Sequence, residues 1–209
     1  YLALTSTTDG GSNTAIGRSA LANNTASSNV AVGASAMIMN TTGTQNVAVG
    51  FLSLDANTTG NYNVALGTSA LTNNTTGTLN TAVGQSALFS NTTANNNTAL
   101  GYNTLNLNTT GTNNTAVGSG SMNANTTGNS NAALGLQSLS SNTTGGDNAG
   151  FGYLSLRDTT TGSDNTACGA NALRANTTGG DNTAVGKGAL LSNTTGSQNN
   201  AFGEQALDA

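Results

Sequence analysis

The residues of this chain that could do chemistry recur at one fixed interval. Nine Asn-Thr-Thr triplets begin at Asn40, Asn57, Asn74, Asn91, Asn108, Asn125, Asn142, Asn176 and Asn193. Each reads as an N-glycosylation acceptor, which would set a row of sugars along one edge of the molecule. The same triplet also suits a turn whose Asn and Thr side chains form hydrogen-bonded ladders, and its place inside a repeat favours that structural reading. Asp147, Asp164 and Asp181 are separated by 17 residues. Stacked carboxylates repel, and a Ca²⁺ between them would relieve the repulsion, whereas turns open to water would screen it. The aromatic residues Tyr1, Phe51, Tyr102 and Tyr153 fall in every third unit. Their rings suit packing against a neighbouring subunit or stacking on a sugar. The single Cys168 stands where other units carry Val, Leu or Ile, and is expected to be a core hydrophobe. With no His, and no Ser, Cys or Lys in a distinct polar cluster, the chain offers no nucleophile–base pair. No His/Cys set has metal-ligand spacing, so no enzyme and no resident cofactor is expected, Ca²⁺ excepted.

The interval belongs to a unit that begins with Asn and reads N-T-A-V-G-x-x-A-L-x-x-N-T-T-G-x-x. The unit Asn residues are Asn13, Asn29, Asn46, Asn63, Asn80, Asn97, Asn114, Asn131, Asn148, Asn165, Asn182 and Asn199. The first interval is 16 residues and every later one is 17. Self-similarity at a short fixed period marks a solenoid, whose units bury apolar surface only against their neighbours. Two short strands per coil are expected. In the first, the Val83, Leu100 and Val117 file points inward, while the Ala file (Ala65, Ala82, Ala99, Ala116, Ala133) and the Gly that follows face outward. That Gly, from Gly17 to Gly203, ends the strand. In the second strand, the Leu88, Leu105 and Met122 file points inward from the opposite wall. A helix is excluded, because each unit has too few apolar positions for a helical stripe and carries Thr and Gly in its middle.

The expected fold is therefore all-β: a single parallel β-solenoid, or β-roll, of about twelve 17-residue coils spanning residues 1–209. Residues 1–12 form a partial coil and residues 13–209 the twelve units. The chain begins and ends within a coil and carries no polar cap, so its ends are expected to stack on further chain or on other subunits.

Composition narrows the partners. Only 6% of residues are charged, the formal net charge is −4, and there are four Lys and Arg in all. So few basic residues cannot track a phosphate backbone, which excludes nucleic acid. No stretch approaches the ~20 apolar residues that span a bilayer, so no membrane insertion is expected.

The run from Asn182 to Gly196 resembles the repeats of bacterial and phage tail-fibre-like surface proteins. Its N-x-A-x-G-x-x-A-L core is similar to the shorter repeats of trimeric autotransporter adhesin heads. That resemblance covers essentially the whole chain and implies a left-handed β-roll, a lateral trimer, and a location outside the cell or on a virion. It departs from the adhesin pattern in the additional N-T-T-G turn, which lengthens the coil.

The expected function is a non-enzymatic structural or adhesive element of an extracellular, cell-surface or virion-associated fibre. Its partner would be the chain itself, as a lateral trimer through the Ala file or as an end-to-end polymer, with cell-surface glycans as a further partner. Two alternatives remain: a subunit of a self-assembling extracellular filament, and a solenoid that binds ice or glycans. The paired Thr of the N-T-T turns resemble the Thr files of ice-binding solenoids, although adjacent strand residues would point to opposite faces.

Overall fold

A computed structural model describes residues 3–5 and 10–208. Tyr1 lies outside the described residues. Each unit contributes one three-residue strand, from β1 (Thr14–Ile16) to β12 (Asn200–Phe202). The twelve strands form one parallel sheet in sequence order. Pairing joins like positions of successive units, as Ala99 with Ala116 and Leu100 with Val117. At the usual inter-strand spacing the stack is about 55 Å long.

The inward and outward faces of the strand are the reverse of the expectation. The Ala file is fully buried, with Ala65, Ala82, Ala99 and Ala116 at 0% exposure, while Leu100 is 44% exposed and Val83 and Val117 are half-buried. Cys168, on the same outward file, is exposed rather than a core residue. The parity is set by the unit Asn, whose side chain is buried. Alternation along the strand then carries the Ala inward and the larger residue outward. A coil this narrow has room for a methyl group opposite the Leu file and for nothing larger. The Ala file is therefore the core and cannot be a lateral contact surface.

The Leu file does point inward. Leu21, Met37, Leu54, Leu71, Leu88, Leu105 and Met122 are all 0% exposed. It is not a second strand, however. The Leu residue and the residue two before it have positive φ, as Leu88 (51°) and Ser86 (57°). This part of each coil is a run of tight turns that still bonds in both axial directions. Leu88 N–H donates to the Thr104 carbonyl of the next coil at 3.0 Å, and Ser86 N–H to the Thr68 carbonyl of the preceding one at 3.0 Å. A left-handed backbone is hostile to β-branched side chains, which accounts for a file of Leu and Met with no Ile or Val.

The Gly after the strand is required twice over. Gly118 has φ 122°, and a Cβ there would stand 2.5 Å from the Gly135 carbonyl oxygen of the next coil. Left-handed dihedrals and close coil stacking therefore act at one residue.

Candidate interaction surfaces and the polar core

Two files of Asn fill the other half of the interior. The unit Asn side chains form one ladder. Each backbone N–H donates to the Oδ1 of the preceding unit Asn, as Asn63 to Asn46 at 2.9 Å and Asn97 to Asn80 at 3.0 Å. The Asn of the N-T-T turns forms the second ladder through its amide: Asn57 Nδ2 donates to Asn40 Oδ1 at 2.7 Å, and Asn125 Nδ2 to Asn108 Oδ1 at 2.8 Å. Both files converge on one carbonyl per coil. Gly60 O accepts from Asn46 Nδ2 at 2.9 Å and from Asn57 Nδ2 at 3.1 Å. Wherever the turn Asn is present, the coil is thus clamped shut by two amides on one oxygen, which satisfies buried polar groups in a region with little apolar surface.

This geometry places the nine triplets. Asn40, Asn57, Asn74, Asn91, Asn108, Asn125, Asn142 and Asn176 are fully buried, and Asn193 is half-buried. Their side chains belong to the ladder and are not presented to solvent in the folded rod. The short first unit fits the same scheme. Its turn reads Asn24-Thr25-Ala26, one residue less, and Ala26 O takes the role of the Gly carbonyl, accepting from Asn13 at 2.7 Å and Asn24 at 2.7 Å.

One rung of the turn ladder is missing, because Thr159 replaces Asn in its unit. Two buried polar atoms are left without partners there, Asn142 Oδ1 and Thr159 Oγ1. Gly150, the one departure from Ala in its file, has a steric cause. A Cβ there would lie 2.6 Å from Ser138 Oγ and 3.1 Å from Ser155 Oγ, and those hydroxyls are themselves 2.9 Å apart. In most other units the Ser position is Ala.

The two Thr of each triplet differ. The first donates its hydroxyl to the carbonyl of its counterpart one coil on, as Thr58 to Thr75 at 3.0 Å and Thr126 to Thr143 at 3.0 Å. The second forms an unbroken exposed file from Thr42 to Thr195. The paired Thr are thus one structural file and one solvent-facing file.

Asp147, Asp164 and Asp181 stand in one exposed file with positive φ. Among the described residues no group of three or more His, Cys, Asp or Glu is arranged to hold a metal ion. Asp55 is an acid that the sequence did not single out. Its Oδ1 is buried without a partner, and burial raises its carboxyl above the ordinary value of 3.8. Asn106 and Asn123, at the same unit position, donate to the Ser86 and Asn103 carbonyls at 3.0 Å. A carboxylate cannot do this.

The aromatics Phe51, Tyr102 and Tyr153 are exposed, at 49%, 54% and 51%. Beside them runs the outward strand file, including Ile16 (61%), Leu100 (44%), Leu134 (50%), Phe151 (41%) and Phe202 (70%). Beside Tyr102 the surface is indented by a notch of about 360 Å³, which Ser119, Gly120 and Gln137 help to line. Sequence reading missed these residues, although Gly120 stands where most units carry Ser, Asn, Gln or Leu. No helix among the described residues is long and apolar enough to cross a membrane. Comparisons with protein-family models, with curated proteins and with solved structures return no match.

Proposed function

We propose that this chain is a non-enzymatic rod segment of an extracellular or virion-surface fibre, and that it associates laterally with copies of itself through the outward face of its sheet. The observation that carries the reading is the outward strand file. It holds Ile, Val, Leu, Phe and Cys in all twelve units, without one charged residue. Two residues earlier, the other outward position is Thr, Val, Ala or Asn, also uncharged. A solvated face of a monomer ordinarily carries interspersed Lys, Glu and Asp. An exposed apolar file of this length, flanked by uncharged Thr, Val and Ala, is the kind of patch that commonly serves as a contact. A face about 55 Å long and about 10 Å wide gives roughly 550 Å² per copy, so a pair buries roughly 1,100 Å², just above the lower bound for a specific interface. The resemblance of the repeat to fibre and adhesin units supports the same reading, and so does the unbroken axial ladder of the unit Asn residues, from Asn29 bonded to Asn13 through to Asn199 bonded to Asn182, which favours a stiff rod.

Sedimentation equilibrium tests the contact. The unaltered chain should sediment as an oligomer at micromolar concentration, and L100K combined with L134K should return it to monomer with its circular dichroism unchanged. A native chain that stays monomeric throughout that range would refute lateral association. Because Ala99 and Ala116 are core residues, A99K with A116K should instead unfold the rod.

A further inference from the structure

The notch beside Tyr102 arises because one coil lacks side chains that its neighbours have. Tyr102 and Asn103 form one wall, and Leu136 and Gln137, two coils further on, form the other. Between them the intervening coil presents Ser119 and Gly120. A Cβ on Gly120 would meet only Gln137 Cγ, at 3.4 Å, so the missing side chain is what opens the space. At the same place beside Phe51 and Tyr153 the next coil carries Ser69 and Asn171.

We propose that this notch binds a neutral hexopyranose, presented as a monosaccharide or as one residue of a glycan. Three features select that ligand. The Tyr102 ring is an exposed platform for the apolar C–H face of a pyranose. Around it stand Asn103, Asn123 and Gln137 with the hydroxyls of Ser119 and Ser140, and none of these is charged. Carboxamides and hydroxyls both donate and accept, which matches sugar hydroxyls that do the same. Asn123 is already fixed, since its Nδ2 donates to the Asn103 carbonyl at 3.0 Å, leaving its Oδ1 to accept. A volume of about 360 Å³ sits at the small end of ligand pockets and suits one sugar ring. The absence of a cationic residue selects against an acidic sugar. The site is built from one chain and lies beside the strand face, so it stands independently of lateral association.

The test is a titration of isotope-labelled protein followed by NMR. The probes are the methyl glycosides of glucose, galactose and mannose, with N-acetylneuraminic acid as the charged comparison. At least one neutral glycoside should shift the amides of Asn103, Ser119, Gly120 and Gln137, with a Kd of roughly 1–10 mM for a single small ring. G120Q fills the notch at a left-handed backbone that the array already tolerates in non-Gly residues, as Gln137 adopts φ 53° and Asn103 φ 51° at the same unit position. It should weaken binding at least about tenfold while leaving the circular dichroism and the amide shifts of distant coils in place. Y102A should weaken binding likewise, by removing the platform. The proposal is overturned if no neutral glycoside shifts these residues, if only the acidic sugar does, or if G120Q and Y102A bind as the native chain does. Sedimentation reports on the lateral contact separately, so failure of one reading does not mimic failure of the other.

Discussion

Replacing Thr159 with Asn should stabilise the rod, and the size of the gain follows from the ladder. In the native chain Asn142 Oδ1 and Thr159 Oγ1 are buried and unpaired. On the far side, Asn176 Nδ2 donates to Gly179 O at 2.9 Å, without the bond to a preceding Asn that Asn125 and Asn142 make. An Asn at residue 159 restores three contacts: its Nδ2 to Asn142 Oδ1, its Nδ2 to Gly162 O, and Asn176 Nδ2 to its own Oδ1. Space is not limiting, because the flanking Asn142 and Asn176 are fully buried in the same file without distortion of the coil. A net hydrogen bond contributes about 1 kcal/mol, and an orphaned buried acceptor costs about 1–3 kcal/mol. The bonds share donors, so the gain is less than their sum, and about 2 kcal/mol is expected. For a chain of this size that corresponds to about 4–8 °C in melting temperature. Because repeat arrays can unfold in parts, the measurement is best made as a guanidinium midpoint with two probes whose transitions coincide. The reverse change, N108T, should cost a similar amount by orphaning Asn91 Oδ1. If T159N leaves the midpoint unchanged or lowers it while N108T is harmless, the Asn ladder is not a source of stability and the account of the polar core fails.

The carboxyl of Asp55 supplies a pH dependence of known sign. Its folded pKa is raised above 3.8 by burial, so the folded state holds the proton more tightly than the unfolded state. Its contribution to stability is therefore fully present below 3.8, and is lost as pH rises through the folded pKa. D55N should remove that part of the pH profile. At neutral pH it should also raise stability by about 1 kcal/mol, by donating to the Ser35 carbonyl as Asn106 and Asn123 do to theirs. An unchanged acid limb in denaturant titrations of D55N would contradict this. At Leu105, where φ is 50°, L105I should cost about 1–3 kcal/mol because a β-branched side chain resists that backbone. L105M should cost less than about 1.5 kcal/mol, as Met122 in the next coil already shows the site accepts Met. Equal midpoints for the two variants would remove the dihedral explanation of the Leu and Met file.

The period, the parallel stacking and the inward Leu file were all legible in the sequence, because each depends only on recurrence and on one large apolar residue per unit. The orientation of the strand was not read correctly, and the cause is physical. Ala and Val are both apolar, so hydrophobicity cannot say which of two adjacent files faces inward. Two other signals could have. The Ala file tolerates almost no change of size, its one exception being Gly150, whereas the outward file ranges from Cys to Phe. Constant small volume marks a close-packed wall; variable bulk marks a surface. The unit Asn, two residues before the Ala, gives the same parity once it is taken as a buried ladder residue. A finer regularity was also available. At the residue that follows the turn Gly, Thr44, Thr78 and Thr112 alternate with Asn61, Asn95 and Asn129, and Gly146 and Gly180 alternate with Ser163 and Ser197. In every such pair the first residue's N–H donates to the second's side chain, at 2.7 Å for the three Thr–Asn pairs and at 3.1 and 3.0 Å for the Gly–Ser pairs. The axial repeat on this edge is therefore two coils, while the aromatics recur every three. Positions that break the one-coil period are where the rod's surface becomes addressable. Gly120 opens a notch and Thr159 leaves a gap because each puts less side chain into its file than the coils on either side of it do.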